Sequence, residues 1–204
     1  MMVIRTGILA VPQLDDEAAN SVLQLLRANL PTVLLLQNSS ASSQRHWIEE
    51  ILREWCDEEE LDLVITIGGT TPAPGPSPVE IVPDATSAII ERSLPGLAEA
   101  MRSYAAQETV LAWLDRGVAG IRGRSLLINL PAGAAPALLF LEAIIDLIEP
   151  TLAYLLESAN APRLADQLEV QLATDPADED ARLTSKQTSG LDASEFAAFL
   201  QRRQ

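Results

Sequence analysis

Three short, almost continuously apolar runs lie in the first third of the chain, at residues 3–11, 33–36 and 61–67. Runs of this length that are rich in valine, isoleucine and leucine are typical of strands buried on both faces of a parallel sheet. Between them, apolar residues recur every three or four positions over residues 15–29 and 43–56, the spacing of a helix with one buried face. This alternation of strand and helix predicts right-handed βαβ units and a parallel α/β fold.

The remaining pattern completes the predicted elements. We expect a polar loop over residues 37–44, a proline-rich loop over 71–83, helices over 84–91, 94–104 and 136–149, and strands over 118–121 and 125–130. Prolines at alternate positions forbid regular structure in the second of these loops. The tight turn Arg122-Gly123-Arg124 between the last two strands predicts a hairpin.

The predicted helix over residues 136–149 is apolar almost all round. Between residues 138 and 148, Glu142 and Asp146 are the polar positions that remain for water. A surface helix needs one wet face, so this pattern predicts a helix covered from two sides, either by its own domain or by another subunit. We therefore expect a homo-oligomer, with the central helix of a monomer as the alternative.

The character of the chain changes near residue 158. Residues 175–180 are strongly acidic, and residues 184–190 are polar and rich in turn formers. This composition predicts two parts, an α/β domain over residues 1–157 and a weakly structured acidic extension over residues 158–204. The extension is predicted to end in a short amphipathic helix that carries the apolar residues Leu191, Phe196 and Leu200.

Charge and composition exclude several classes of function. The 204 residues contain 29 acidic and 14 basic side chains, a net charge of −15, which would repel the phosphates of nucleic acids. The only lysine is Lys186, so phosphate binding in the first domain would depend on backbone N–H groups, arginines or a metal ion. One cysteine, Cys56, and one histidine, His46, allow neither an internal disulfide nor a zinc cluster.

The sequence predicts a protein of the cytoplasm with no membrane partner. Its most apolar stretch, residues 125–141, is interrupted by Pro131, Gly133 and Pro136, which argues against a membrane span. The first residues lack the charged segment, apolar run and cleavage site of a secretion signal.

The predicted strand at residues 61–67 is followed by Gly68-Gly69-Thr70. Ligands of parallel sheets bind beyond the carboxyl ends of the strands, where this turn would lie. Paired glycines let backbone amides approach an anion closely, and Thr70 adds a hydroxyl donor. Alone the signal is weak, because such glycines often only make room, and neither a Walker lysine nor a dinucleotide-type glycine triplet accompanies them.

Five motifs in a fixed order make the turn more informative. They are Leu63-Val64-Ile65-Thr66-Ile67-Gly68-Gly69-Thr70, Glu80-Ile81-Val82-Pro83-Asp84-Ala85-Thr86, Leu94-Pro95-Gly96-Leu97-Ala98-Glu99-Ala100-Met101-Arg102, Arg116-Gly117-Val118-Ala119-Gly120-Ile121-Arg122-Gly123 and Ile128-Asn129-Leu130-Pro131. Together they resemble the molybdopterin-binding family of molybdenum cofactor biosynthesis, the Mog and MoaB type of domain. The resemblance covers roughly residues 6–154.

The resemblance implies a fold, a chemistry and a set of site residues. It implies a three-layer α/β/α domain with a mostly parallel central sheet, commonly trimeric, that binds molybdopterin and works with other enzymes of molybdenum cofactor synthesis. In its catalytic branch, AMP from Mg-ATP is joined to the terminal phosphate of the pterin. Glu80 stands where the family has an aspartate, which implies a catalytic and Mg²⁺-binding carboxylate. The implied substrate-binding residues are Gly68, Gly69, Thr70, Thr71, Asp115, Arg116, Asn129, Pro131 and Gly133.

The departures from the family pattern all fall at the ligand edge. Thr71 replaces a glycine that could adopt a positive φ, and Val11-Pro12 replaces Ser-Asp. Asp115 replaces a serine, and a carboxylate beside a phosphate site weakens binding unless a cation pairs with it. Two hypotheses therefore stand: a molybdopterin adenylyltransferase, or a catalytically inactive pterin- or nucleotide-binding module. The directions of Glu80 and Asp115 relative to the glycine turn bear on the choice.

Overall fold

The computed structural model describes residues 3–73, 75, 79–158 and 166. Apart from Asp166, these residues belong to one compact unit, Met1–Ala161. Within them the elements follow in the order β1 (Ile4–Ala10), α1 (Asp16–Asn29), β2 (Val33–Ser40), α2 (Arg45–Asp57), β3 (Leu63–Ile67), α3 (Val82–Ile89), β4 (Arg92–Ser93), α4 (Pro95–Ala105), a 3-10 helix (Val110–Leu114), β5 (Ala119–Arg122), β6 (Ser125–Leu130), α5 (Ala134–Glu142) and α6 (Ile145–Leu155).

The strands form one mixed sheet in the order β2-β1-β3-β6-β5-β4. Strands β2, β1, β3 and β6 run parallel, whereas β5 is antiparallel to β6 and β4 is antiparallel to β5. This confirms the mostly parallel sheet and the hairpin. Because β2 lies on one side of β1 and β3 on the other, the strand order reverses between β1 and β3. In such sheets a crevice opens at the carboxyl ends of that strand pair.

Alternating side chains of β3 divide the interior into two cores. Leu63, Ile65 and Ile67 pack on one face with α1, α4, α5 and α6. Val64 packs on the opposite face with apolar residues of α2 and α3. The three-layer α/β/α architecture is therefore confirmed. None of the described helices is long and apolar enough to span a membrane.

The start of helix α1 is determined by polar residues next to it in the sequence. Its N-cap is Asp15, whose carboxylate accepts the backbone N–H of Ala18 at 3.0 Å. Asp16 and Glu17 follow in the first turn, where acidic side chains favour the helix dipole. The predicted start of this helix is thus confirmed with its physical cause.

The predicted loop over residues 37–44 is wrong in its first half. Strand β2 continues through Gln37, Asn38, Ser39 and Ser40, which pair with Gly7 to Ala10 of β1 after a register shift. These polar side chains are acceptable because β2 is an edge strand, in which alternate positions are exposed. Backbone pairing with β1 decides the structure here.

The predicted helix over residues 136–149 is two helices, α5 and α6, separated at Ala143 and Ile144. Because the chain changes direction between α5 and α6, apolar residues that would lie on several sides of a single helix all face one core. This core contains Phe140, Leu141, Ile144, Ile145 and Ile148. Covering by the domain itself thus accounts for the all-round apolar pattern. The predicted extension over residues 158–204 and its terminal helix lie outside the described residues, except for Ser158 and Asp166.

Candidate functional site

The turn after β3 depends on its two glycines. Gly68 has a φ of +97° and Gly69 a φ of +63°, a region of backbone space that side chains disfavour. A Cβ atom on Gly68 would collide with the carbonyl oxygen of Val11, and one on Gly69 would lie 2.8 Å from Cγ2 of Val82. The glycines therefore let neighbouring segments of this chain approach the carboxyl edge of the sheet.

Thr70 and Asp115 form a buried polar pair directly after this turn. The side-chain hydroxyl of Thr70 donates to one carboxylate oxygen of Asp115, and the backbone N–H of Gly117 donates to the other at 2.8 Å. Thr70 is 1% exposed and Asp115 is 6% exposed. Burial raises the pKa of Asp115, and the hydrogen bonds from Thr70 and Gly117 act in the opposite direction.

A cavity of about 380 Å³ opens beside this pair and contains Arg102, for which the sequence predicted no role. Nη1 of Arg102 donates to the carbonyl oxygen of Gly117 at 2.9 Å, and its charge lowers the pKa of Asp115. In the sequence, Arg102 is marked by its position at the end of the third motif. We call this space the Asp115 cavity; it is lined by Ser93, Pro95, Ala98, Arg102, Asp115, Arg116, Gly117, Val118 and Ala119.

A second cavity, of about 360 Å³, lies where the strand order reverses. We call it the β1–β3 cavity; its lining residues are Val11, Pro12, Gln13, Leu14, Asp15, Asp16, Ile67 and Ala132. The residues of the turn line neither cavity themselves, but Val11, which packs on Gly68, lines one cavity and Asp115, which bonds Thr70, lines the other.

Glu80 lies in the segment between this turn and α3 and is half-buried. Its carboxylate accepts the backbone N–H of Ala73 at 3.2 Å, and its carbonyl oxygen accepts Nη1 of Arg116 at 3.1 Å. The backbone N–H of Arg116 donates to the carbonyl oxygen of Thr70 at 2.9 Å. Asp115 and Glu80 are therefore both tied to the glycine turn, Asp115 directly and Glu80 through Arg116.

No group of three or more His, Cys, Asp or Glu side chains within the described residues could hold a metal ion. The carboxylate nearest in sequence to Glu80 is that of Asp84, which receives Nη2 of Arg116 on both oxygens at 3.0 Å. Any ion at Glu80 would therefore need other ligands brought by a substrate.

Asn129, a predicted substrate-binding residue, has a wholly buried side chain in this structure. Its Oδ1 accepts the backbone N–H of Val118 at 3.2 Å, and its Nδ2 donates to the hydroxyls of Thr66 and Thr86 at 2.9 Å each. The residue is 0% exposed. These bonds hold β6, β3 and α3 together.

The other predicted positions after β6 shape the backbone. Pro131 is buried, and Gly133 has a φ of +89° at the N-cap of α5. Ala132 between them contributes to the β1–β3 cavity. Thr71 is exposed. Among the described residues, the non-glycine residues with a positive φ are Glu60 and Glu157, so the backbone of Thr71 is not strained in this way.

Comparisons with known proteins are consistent with this architecture. The profile of a family described as probable molybdopterin binding domain matches residues 16–153. The molybdopterin adenylyltransferase of Helicobacter pylori strain J99 is 37% identical over 117 residues, which are 57% of this chain and 64% of that protein. The match thus spans less than two thirds of that relative. The molybdopterin adenylyltransferase of Escherichia coli K12 is 33% identical over 140 residues, 64% of this chain and 68% of that protein.

Solved structures give the same picture of the fold. The molybdopterin biosynthesis enzyme MoaB from Thermus thermophilus superposes with a TM-score of 0.67 at 33% identity, covering 75% of this chain and 96% of that one. The Mog protein from Mycobacterium ulcerans superposes with a TM-score of 0.68 at 23% identity, covering 78% of this chain and 100% of that one. At that lower identity the second likeness bears on the fold alone.

Proposed function

Since the chain belongs to the molybdopterin-binding domain family, whose profile matches residues 16–153, we propose that it is a molybdopterin adenylyltransferase of molybdenum cofactor biosynthesis. It binds molybdopterin and Mg-ATP at the carboxyl edge of the sheet. AMP passes to the terminal phosphate of the pterin and pyrophosphate leaves. The adenylyltransferases of H. pylori and E. coli, similar to this chain, support this choice of activity.

One observation carries the proposal: two cavities are lined by residues that contact the glycine turn, one by Val11, which packs on Gly68, and one by Asp115, which bonds Thr70. Their volumes of about 380 and 360 Å³ fall within the range of sites for small molecules. A transfer between two substrates needs two adjacent subsites with a shared wall at the reacting groups.

Arg102 supplies the positive charge of the Asp115 cavity. Within the described residues it donates to carbonyl oxygens and forms no ion pair at contact distance, although its charge also acts on the nearby Asp115. Arg116 differs, because both oxygens of Asp84 already bind its guanidinium. The first domain contains no lysine, so we propose that Arg102 binds a phosphate group of the substrate.

Glu80 is the residue that would hold Mg²⁺. A magnesium ion in nucleotide sites commonly uses one or two protein carboxylates, with water and substrate phosphates as its other ligands. One half-buried carboxylate, with Asp84 occupied by Arg116, fits an ion that arrives with ATP. When bound, the ion would neutralise the charge of the polyphosphate.

Asp115 favours a second candidate function, a binding module without transferase activity. Its carboxylate accepts hydrogen bonds from the hydroxyl of Thr70 and the backbone N–H of Gly117, so these two donors are not free to bind an anionic ligand. A carboxylate at this place also repels phosphate. A diverged member of this kind would retain the pterin without turnover.

The protein is further proposed to act as a homo-oligomer, a trimer, in the cytoplasm. Its 3-10 helix exposes Val110, Leu111, Trp113 and Leu114 by 56 to 73%. This uncharged surface suits a second copy of the same chain, because other surfaces of a protein with a net charge of −15 would repel one another. The free, buried thiol of Cys56 is consistent with a reducing compartment.

Activity of the purified protein tests the proposal. Mixed with molybdopterin and Mg-ATP, the wild type should release pyrophosphate and form the adenylylated pterin. Glu80→Gln should abolish release, because the amide cannot hold the ion, whereas Glu50→Gln on the exposed face of α2 should leave it unchanged. Tight retention of pterin with no turnover would favour the binding module, and neither binding nor turnover would refute both functions.

A further inference from the structure

Glu80 and its neighbours Val79 and Ile81 belong to no helix or strand. Strand β3 ends at Ile67, and α3 begins only at Val82. Near the start of α3, the backbone N–H of Val82 donates to the carbonyl oxygen of Gly69 at 3.3 Å. A carboxylate that must meet a substrate-borne ion within a fraction of an ångström needs firm support.

Arg116, which is distant in sequence, supports Glu80 through hydrogen bonds. Its backbone N–H bonds the carbonyl oxygen of Thr70 at 2.9 Å, and Nη1 of its side chain bonds the carbonyl oxygen of Glu80 at 3.1 Å. Nη2 bonds both carboxylate oxygens of Asp84 at 3.0 Å each. One residue therefore joins the glycine turn, the Glu80 segment and the first turn of α3.

The geometry points to Asp84 as a positioning residue: it fixes the guanidinium of Arg116 so that Arg116 holds Glu80 beside the glycine turn. A planar guanidinium bound on both oxygens of a carboxylate has its remaining donors set in direction. Asp84 itself lies on a helix, which gives the arrangement a rigid base. This inference rests on the proposed function of Glu80 and adds to it a residue for which the sequence predicted no role.

Exposure separates this role from one in stability. The side chains of Arg116 and Asp84 are 43% and 42% exposed, and ion pairs at such sites contribute little to folding. The pair between Arg122 and Asp57 provides a matched control, with Nε of Arg122 2.9 Å from Oδ1 of Asp57 and Asp57 45% exposed. Both pairs join arginine to aspartate at the surface, but only the first contacts the Glu80 segment.

Amide exchange tests the inference without requiring activity. The N–H of Ala73 donates to the Glu80 carboxylate, so its exchange rate reports where Glu80 lies. In the full-length protein, Asp84→Asn should raise that rate about tenfold or more while the melting temperature stays unchanged, and Asp84→Glu should restore part of the protection. Asp57→Asn should leave the Ala73 amide as in the wild type. An Ala73 rate unaffected by Asp84→Asn would overturn the inference.

Kinetics provide the second measurement. With molybdopterin and Mg-ATP, Asp84→Asn should lower kcat by about tenfold to a hundredfold and leave KM for molybdopterin unchanged, because the misplaced Glu80 acts on the nucleotide-borne ion and on the transition state. A wild-type kcat in this variant would overturn the positioning role. If the wild type itself shows no turnover, the proposed activity fails, and the exchange measurement alone decides the role of Asp84.

Discussion

At the scale of single residues, Asp115 places a carboxylate in a buried position beside the ligand edge. Burial raises its pKa above the ordinary value of 3.8, so the folded protein holds this proton more tightly than the unfolded chain does. Stability contributed by this group is therefore highest at low pH, where both states are protonated. It is lost as the pH rises from the ordinary aspartate range through the raised value.

The variant Asp115→Asn should remove this pH dependence. The amide oxygen can still accept the N–H of Gly117, and the amide nitrogen can donate to the hydroxyl of Thr70. We expect the variant to gain free energy of unfolding relative to the wild type as the pH rises above 3.8. Urea unfolding of both proteins over a series of pH values measures the difference. A difference independent of pH, or one that shrinks on raising the pH, would contradict this account.

At the scale of elements, the side chain of Asn129 joins β6 to β3 and α3. From β6 it bonds the hydroxyls of Thr66 in β3 and Thr86 in α3, together with the backbone N–H of Val118. All these groups lie in the interior or at its border, where an unpaired polar atom is costly. The asparagine is thus required by the packing of strands and helix around it.

Replacing Asn129 by alanine should destabilise the fold strongly. The change leaves three partner groups without their bonds, and we expect a loss of about 2–3 kcal/mol in the free energy of unfolding. Asn38→Ala, on an exposed position of β2, serves as the control and should change it by less than about 0.5 kcal/mol. Chemical denaturation measures both. Unchanged stability with weakened pterin binding would instead assign Asn129 to the ligand.

At the scale of the whole molecule, charge and exposed apolar surface act in opposite directions on association. The net charge of −15 keeps copies apart, whereas the 3-10 helix offers an uncharged apolar surface that includes Trp113. Large aromatic side chains contribute much of the binding energy at interfaces. The surface around Trp113 is therefore the place where the proposed oligomer would form.

The variant Trp113→Ser should dissociate the proposed oligomer. Loss of a central aromatic anchor weakens an interface by about 2 kcal/mol or more. Trp47 on α2 has a similar exposure, 49% against 56% for Trp113, so Trp47→Ser is a matched control that should leave the oligomer intact. Size-exclusion chromatography with light scattering gives the masses. A monomeric wild type, or an oligomer insensitive to Trp113→Ser, would show that this surface has another role.

Much of the fold and of the site could be predicted from local sequence. Apolar runs predicted β1 and β3, the helical spacing over residues 15–29 predicted α1, and Gly68 and Gly69 marked the turn. These features depend on neighbouring residues, since strand and helix periodicity, capping and positive φ are properties of a few consecutive positions. The parallel sheet predicted the carboxyl edge as the place of binding, and the family resemblance added the order of the motifs and the predicted site residues.

Other features depended on partners distant in sequence. Asn38 lies in a strand because β1 pairs with it, and Asn129 is buried because Thr66 and Thr86 meet it from two other elements. Arg116 reaches Glu80 across 36 positions of the chain and Asp84 across 32. The sequence by itself determined the types of the elements and the residues available at the edge. Only the tertiary structure decided which polar groups satisfy one another and which remain open to a ligand, because hydrogen bonds between distant segments form only once the sheet and its helices have packed.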